Sequence, residues 1–187
     1  FQMTGGRVEG KNTAVRMFCN STTNQNISDV SGGEITAETA GIWIQLPGSE
    51  PSSEKLAELT VSGGNLIATG SECGYAFYDY SYNDSYKKVT YNLAGGTFTG
   101  KTSFFSYGAN IEITGGTYNG SVAIKQDTPS NDGVVKAYNT DNSKTFHFIT
   151  GGTFSSDPTE YLAPGATAYE SGENKWTVLG PDSTATK

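Results

Sequence analysis

ITGGTY, residues 113–118, places two glycines in the middle of a stretch that otherwise reads as a strand. The same arrangement recurs as MTGGRV from Met3, VSGGEI from Val30, VSGGNL from Val61, LAGGTF from Leu93 and ITGGTF from Ile149. Between the first glycines of the pairs (Gly5, Gly32, Gly63, Gly95, Gly115, Gly151) the spacings are 27, 31, 32, 20 and 36 residues. A constant motif at a variable period describes a repeat whose central element is fixed and whose loops are not.

Two positions before each first glycine stands an apolar residue (Met3, Val30, Val61, Leu93, Ile113, Ile149), and three positions after it stands another (Val8, Ile35, Leu66, Phe98, Tyr118, Phe154). These positions are an odd number of residues apart, so along an uninterrupted strand they would point to opposite faces. Both reach one core only if the chain bends between them. Glycine permits such a bend, through positive φ and through the close backbone approach that a missing Cβ allows. The pair therefore reads as a corner, and successive corners are expected to lie one above another. A second apolar pair is expected ten and twelve residues after the first glycine, at Val15 and Met17, Ile42 and Ile44, Cys73 and Tyr75, and Phe105 and Tyr107; the fifth unit slips to Val122 and Ile124. No single unit can bury its apolar edge alone, so stacking must supply the core.

Coils of at least 20 residues, short strands separated by corners, and insertions of variable length resemble the right-handed parallel β-helix of the pectin-lyase-like class. The resemblance covers residues 1–155. The expected fold class is all-β: a right-handed parallel β-helix solenoid of about six coils with loop insertions, a C-terminal cap over 156–180 and a tail over 181–187. A β-sandwich is the alternative, disfavoured because sandwich strands do not repeat one motif in phase.

Composition agrees with a β-rich chain. Of 187 residues, 24 are Gly, 11 Tyr and 9 Phe, which supplies turns together with aromatic strand positions. The net charge of −7 repels phosphate backbones and anionic lipid, so nucleic acid is not an expected partner. No apolar run approaches the length of about 20 residues that spans a bilayer, and membrane insertion is not expected. Because the first residues already sit inside a repeat, a preceding coil or cap is expected upstream. The two cysteines, Cys19 and Cys73, fall two coils apart, about 10 Å along the axis at the spacing of stacked strands, and are expected to be buried free thiols.

Three stretches exceed a minimal coil. Pro47–Glu58 reads as a solvated loop with room for one helical turn at SSEKLAEL. Gly74–Tyr91 contains six tyrosines and reads as two strands joined around Asn83 and Asp84. Gln126–Phe148 carries the pattern of a hairpin or an extra strand after a turn at Pro129–Gly133. After the last glycine pair, Asp157-Pro158 and Pro164-Gly165 break the rhythm, and KWTVL returns as one final strand. This ending, ITGGTFSSDPTEYLAPGATAYESGENKWTVL, resembles a segment that closes β-helical regions in large secreted or wall-attached surface proteins of gut-dwelling bacteria. The resemblance implies an extracellular or cell-surface location and a modular parent protein; it implies no reaction.

Chemistry is sparse in the sequence. Glycoside hydrolysis needs paired carboxylates, and the candidates, Asp79 and Asp84 together with Asp127, Asp132 and Asp141, read as loop-solvating acids. His147, between two phenylalanines, reads as an outward or edge residue. No serine or cysteine lies in a nucleophile motif, and no cofactor or metal site is expected. What remains is an aromatic surface: Tyr75, Tyr78, Tyr80, Tyr82 and Tyr86 cannot all point inward on alternating strands, and with Asp79 and Asp84 they offer stacking faces beside hydrogen-bonding groups. Trp43, between Ile42 and Ile44, faces outward by parity and extends that surface. The function expected is a non-catalytic adhesive or spacer module for glycans or host surface proteins; the alternative is a carbohydrate-active enzyme, a polysaccharide lyase or glycoside hydrolase, or a phage-tail depolymerase fragment. The oligomeric state is left open by the sequence.

Overall fold

A computed structural model describes residues 1–18, 26–45, 57–80, 89–106, 110–120, 122–126 and 147–183. Among these the chain is all-β, with a single 3-10 turn at Thr159–Tyr161 and no α-helix. The strands are β1 (Gln2–Gly10), β2 (Thr13–Phe18), β3 (Asn26–Ala37), β4 (Ala40–Gln45), β5 (Ala57–Val61), β6 (Asn65–Ala68), β7 (Tyr75–Tyr80), β8 (Val89–Leu93), β9 (Thr97–Thr99), β10 (Thr102–Ser106), β11 (Asn110–Ile113), β12 (Thr117–Asn119), β13 (Val122–Gln126), β14 (Gly152–Phe154), β15 (Thr167–Gly172) and β16 (Lys175–Leu179). They form one 11-stranded sheet and one 5-stranded sheet. Every pairing is parallel except β14 with β16 and β15 with β16.

Both apolar columns flanking the glycine pair lie in register. Met3 pairs with Val30, Val30 with Val61, Val61 with Leu93, Leu93 with Ile113, and Ile113 bridges to Ile149. On the other side of the corner, Val8, Ile35, Leu66, Phe98, Tyr118 and Phe154 follow one another across β1, β3, β6, β9, β12 and β14. All but Val8 are buried, and each fully buried apolar side chain contributes about 1.5–3 kcal/mol. Parallel strands about 4.8 Å apart bring like side chains into contact. The rings of Phe98, Tyr118 and Phe154 accordingly stack at 4.8 Å with interplanar angles of 8°. Tyr118 fits this column because its hydroxyl donates to the Gly115 carbonyl at 3.3 Å.

The two glycines of a pair do different work. A Cβ at Gly115 would lie 2.4 Å from the carbonyl oxygen of Ala94 in the preceding unit, whereas Gly116 has φ +96°, where side chains are strained. The later pairs repeat this division, with the first glycine pressed against the preceding backbone and the second in the left-handed region. Gly5 differs, since a Cβ there would meet nothing within 4 Å.

The third apolar column departs from the sequence expectation. In the 5-stranded sheet Val15 pairs with Ile42 as expected, but Ile42 pairs with Phe77, Phe77 with Phe104 and Phe104 with Ile124. Cys73 and Tyr75 are therefore not the core pair of their unit. Bends at 71–73 lengthen the connection there, and a fixed offset from the glycines fails. Cys73 is exposed, correcting the expectation of a buried thiol; Cys19 lies outside the described residues. Phe77 and Phe104 stack at 4.9 Å, and Phe77 meets Tyr91 edge-on at 4.9 Å, which joins the inner faces of the two sheets. The two strands of the tyrosine-rich stretch, β7 and β8, belong to different sheets rather than pairing with each other. The extra strands expected before Phe148 and the helical turn at SSEKLAEL lie largely outside the described residues, except that Ala57 onward is strand. KWTVL is the strand β16, as expected, but β15 was not legible in TAYESG.

Two measurements test this account. Gly115→Ala forces backbone apart within a packed stack and is expected to cost about 1–3 kcal/mol by denaturant unfolding, while Gly5→Ala changes stability by less than about 0.5 kcal/mol. Equal effects at the two sites would refute the division. Burial also raises the Tyr118 phenol pKa well above its usual value. The folded state holds that proton after the unfolded chain has lost it, so stability is fully present below about pH 10 and falls as pH rises beyond it. Tyr118→Phe is expected to make alkaline unfolding shallower.

Candidate functional site

On the 5-stranded sheet, alternation sends Val15, Ile42, Phe77 and Phe104 inward, and the residues that follow them outward. Arg16, Trp43, Tyr78 and Phe105 consequently form one in-register row across β2, β4, β7 and β10. At parallel-strand spacing the row is about 14 Å long. Trp43 and Tyr78 are half-buried, while Phe105 is 5% exposed and forms the base of the cluster.

Neighbouring rings lock together. Trp43 and Tyr78 lie 5.8 Å apart between centroids, Tyr78 and Phe105 5.2 Å, and Tyr75 lies 4.7 Å from Tyr78 and 5.4 Å from Phe105. Offset and tilted arrangements of this kind are worth about 0.5–1.5 kcal/mol per pair beyond area burial. At the other end the Arg16 guanidinium sits 4.7 Å from the Trp43 ring and 5.4 Å from Phe18, which is 51% exposed. Arg16 Nη2 also donates to Gln45 Oε1. The cation is thus held over an aromatic face, where the ring quadrupole attracts it. Trp43 Nε1 is buried with no hydrogen-bond partner among the described residues.

Three of the eight site residues expected from sequence, Trp43, Tyr75 and Tyr78, are brought together here. Asp79 is not among them. It is fully buried on the inner side of β7, where its carboxyl accepts a hydrogen bond from Ser106 Oγ at 2.6 Å. Parity explains the difference, because Asp79 shares the inward phase of Phe77. Tyr80 ends β7, and its side chain is outside the described residues, as are Tyr82, Asp84 and Tyr86 in their entirety. Arg16, Phe18, Gln45 and Phe105 were missed by sequence reasoning. For Arg16, Phe18 and Gln45 the signal was present in the parity of VRMF beside IWIQ, which sets Arg16 against Trp43 and Phe18 against Gln45.

A second concavity, of about 490 Å³, lies where the ladder β5–β8–β11 narrows to the single bridge Ile113–Ile149. Thr90, Asn110, Glu112, Thr114, Thr150 and His147 line it above Ile111 and Phe148. His147 is exposed, as expected, and its Nδ1 lies 3.0 Å from the Leu162 carbonyl; that contact makes Nδ1 the donor and leaves Nε2 as an acceptor. The groove gathers one imidazole, one carboxylate and several hydroxyls. Among the described residues no three His, Cys, Asp or Glu side chains are grouped to hold a metal ion, and no helix is long and apolar enough to cross a membrane.

Ser106→Ala removes a hydrogen-bond donor to the buried Asp79 carboxyl and is expected to lower stability by about 1–3 kcal/mol. Tyr78→Ala, on the outer face, should cost less in the same thermal or denaturant titration. The reverse order would contradict the inward placement of Asp79. No protein-family model, no curated protein and no solved structure matches the chain.

Proposed function

We propose that the chain is a right-handed parallel β-helical module of a secreted or cell-surface bacterial protein, and that it binds glycan through the aromatic face of its smaller sheet without transforming it. In this reading residues 1–155 form about six coils, each a unit that stacking completes, residues 156–180 cap them, and 181–187 are a tail. The in-register columns on both sides of every glycine pair support the coil architecture. The resemblance of the C-terminal segment to closing segments of bacterial surface proteins supports the location.

The observation that carries the binding function is the outward row Arg16, Trp43, Tyr78 and Phe105 with Tyr75 beside it. Indole and phenol faces offer the C–H faces of sugar rings an apolar platform, while the guanidinium and the phenol hydroxyls supply polar contacts at its margin. A row of this length suits an oligosaccharide better than one ring. Because the side chains are set by strand register, the platform is rigid before ligand arrives, and little ordering cost is added on binding.

A carbohydrate-active enzyme is the competing reading, and the groove holding Glu112 and His147 is the place it would use. A glycan array on the purified chain, with every hit incubated and assayed for released product, separates the two. Binding without product is expected, and Trp43→Ala combined with Tyr78→Ala should weaken it at least tenfold, about 1.4 kcal/mol, in a variant that circular dichroism shows to be still folded at the assay temperature. Undiminished binding by that variant would sink the platform, and released product would replace the module with an enzyme. Absence of any glycan ligand would turn the same surface toward a host protein.

A further inference from the structure

The chain contains two arginines, and their surroundings differ. Arg7 Nη2 lies 3.1 Å from Glu9 and its Nε 3.1 Å from Glu34, so two carboxylates answer its charge. Arg16 meets no carboxylate among the described residues. Its Nη2 donates to Gln45 Oε1, and its guanidinium lies 4.7 Å from the Trp43 ring centroid and 5.4 Å from that of Phe18. A guanidinium carries five N–H donors and stays charged throughout the pH range of a folded protein. Gln45 takes one of them. The others stand beside an aromatic platform, on a cation already placed by two rings and an amide, so little side-chain freedom is left to lose when a ligand arrives.

The charges of the smaller sheet agree with that of Arg16. Its five strands contain three charged residues, Arg16, Asp79 and Lys125. Asp79 is buried on the inner side, where Ser106 donates to it. Phe105 pairs with Lys125, so the row through Arg16, Trp43, Tyr78 and Phe105 meets a second basic residue at its next register position. In a chain whose net charge is −7, these strands therefore bring positive charge and no outward carboxylate to the aromatic face. The outward direction of Arg16 is fixed by its pairing with Trp43 in β4, whatever adjoins the other edge of β2.

We propose that the aromatic face selects glycans that carry an anionic substituent, a carboxylate or a sulfate ester, and that Arg16 receives this group while the adjoining sugar ring rests on Trp43 and Tyr78. The selection rests on the glycan-binding function proposed above. The donors of a guanidinium form a fork that matches the paired oxygens of a carboxylate or sulfate, and such charge-assisted bonds are roughly twice as strong as those between neutral groups. A neutral sugar stacks on the same rings but offers the cation only hydroxyls.

The test is a glycan array printed in matched pairs, each carboxylated oligosaccharide beside its carboxyl-reduced form and each sulfated one beside its desulfated form, with every hit titrated against the full 187-residue chain. The anionic member is expected to bind about tenfold more tightly than its neutral partner, and the type of pair that shows this identifies the substituent. Arg16→Gln should bring affinity for the anionic member down to that for the neutral one while leaving the neutral one unchanged, which also shows that the variant is folded. Equal binding of both members by the parent chain overturns the selection and leaves glycan binding standing, whereas no binding to any member overturns both. A loss in Arg16→Gln that is equal for the two members makes the arginine a support for Trp43 and overturns its assignment to the anionic group.

Discussion

Close approach of parallel backbones at the glycine corner is the constraint on which the rest of this structure depends. At each later pair the first glycine lies where a Cβ would overlap the carbonyl of the unit before it, 2.3 Å away at Gly95 and Gly151. That contact holds neighbouring units at strand spacing, and the second glycine, in the left-handed region, turns the chain so that residues an odd number apart both face inward. Everything stacked follows from it. Met3, valine, leucine and isoleucine fall over one another on one side, and Val8, Ile35, Leu66 and then the rings of Phe98, Tyr118 and Phe154 on the other, because the backbone gives equivalent residues of successive units no other place to stand.

The aromatic face is a consequence of the same geometry on the smaller sheet. Residues whose neighbours must face inward are driven outward by parity, and in-register pairing gathers them from units far apart in sequence into one row. This explains why Arg16 comes to lie on Trp43 and why Phe105 sits beneath Tyr75 and Tyr78. It also explains Asp79. One step along β7 exchanges a half-buried outward phenol for a buried carboxyl, to which Ser106 in the neighbouring strand supplies a hydrogen bond.

The two ends of the molecule are built differently. Parallel pairing continues from β1 to β14 along the large sheet, then gives way to the antiparallel pair β15–β16. The change follows from the local sequence: Pro158, Pro164 and Gly165 interrupt the repeat, and the turn at Glu173–Asn174, with Asn174 at φ 51°, reverses the chain within a few residues.

The glycine motif and its two flanking apolar columns were fully legible, because a corner that demands two glycines writes itself into the sequence at a fixed offset from the residues it turns inward. Trp43 was legible for a similar local reason, the alternation of Ile42 and Ile44. Connections between corners carry no such demand, so the offset from Leu66 to its core partner in the smaller sheet differs from that in other units, and only the register of β4, β7 and β10 decided that Phe77 and Phe104 face inward, leaving Tyr75 and Phe105 to join the outer cluster. The burial of Asp79 and the placing of Arg16 over Trp43 were likewise decided by tertiary structure. Both depend on which residues of different strands stand side by side, a relation that hydrogen bonding between strands sets and that no single unit contains.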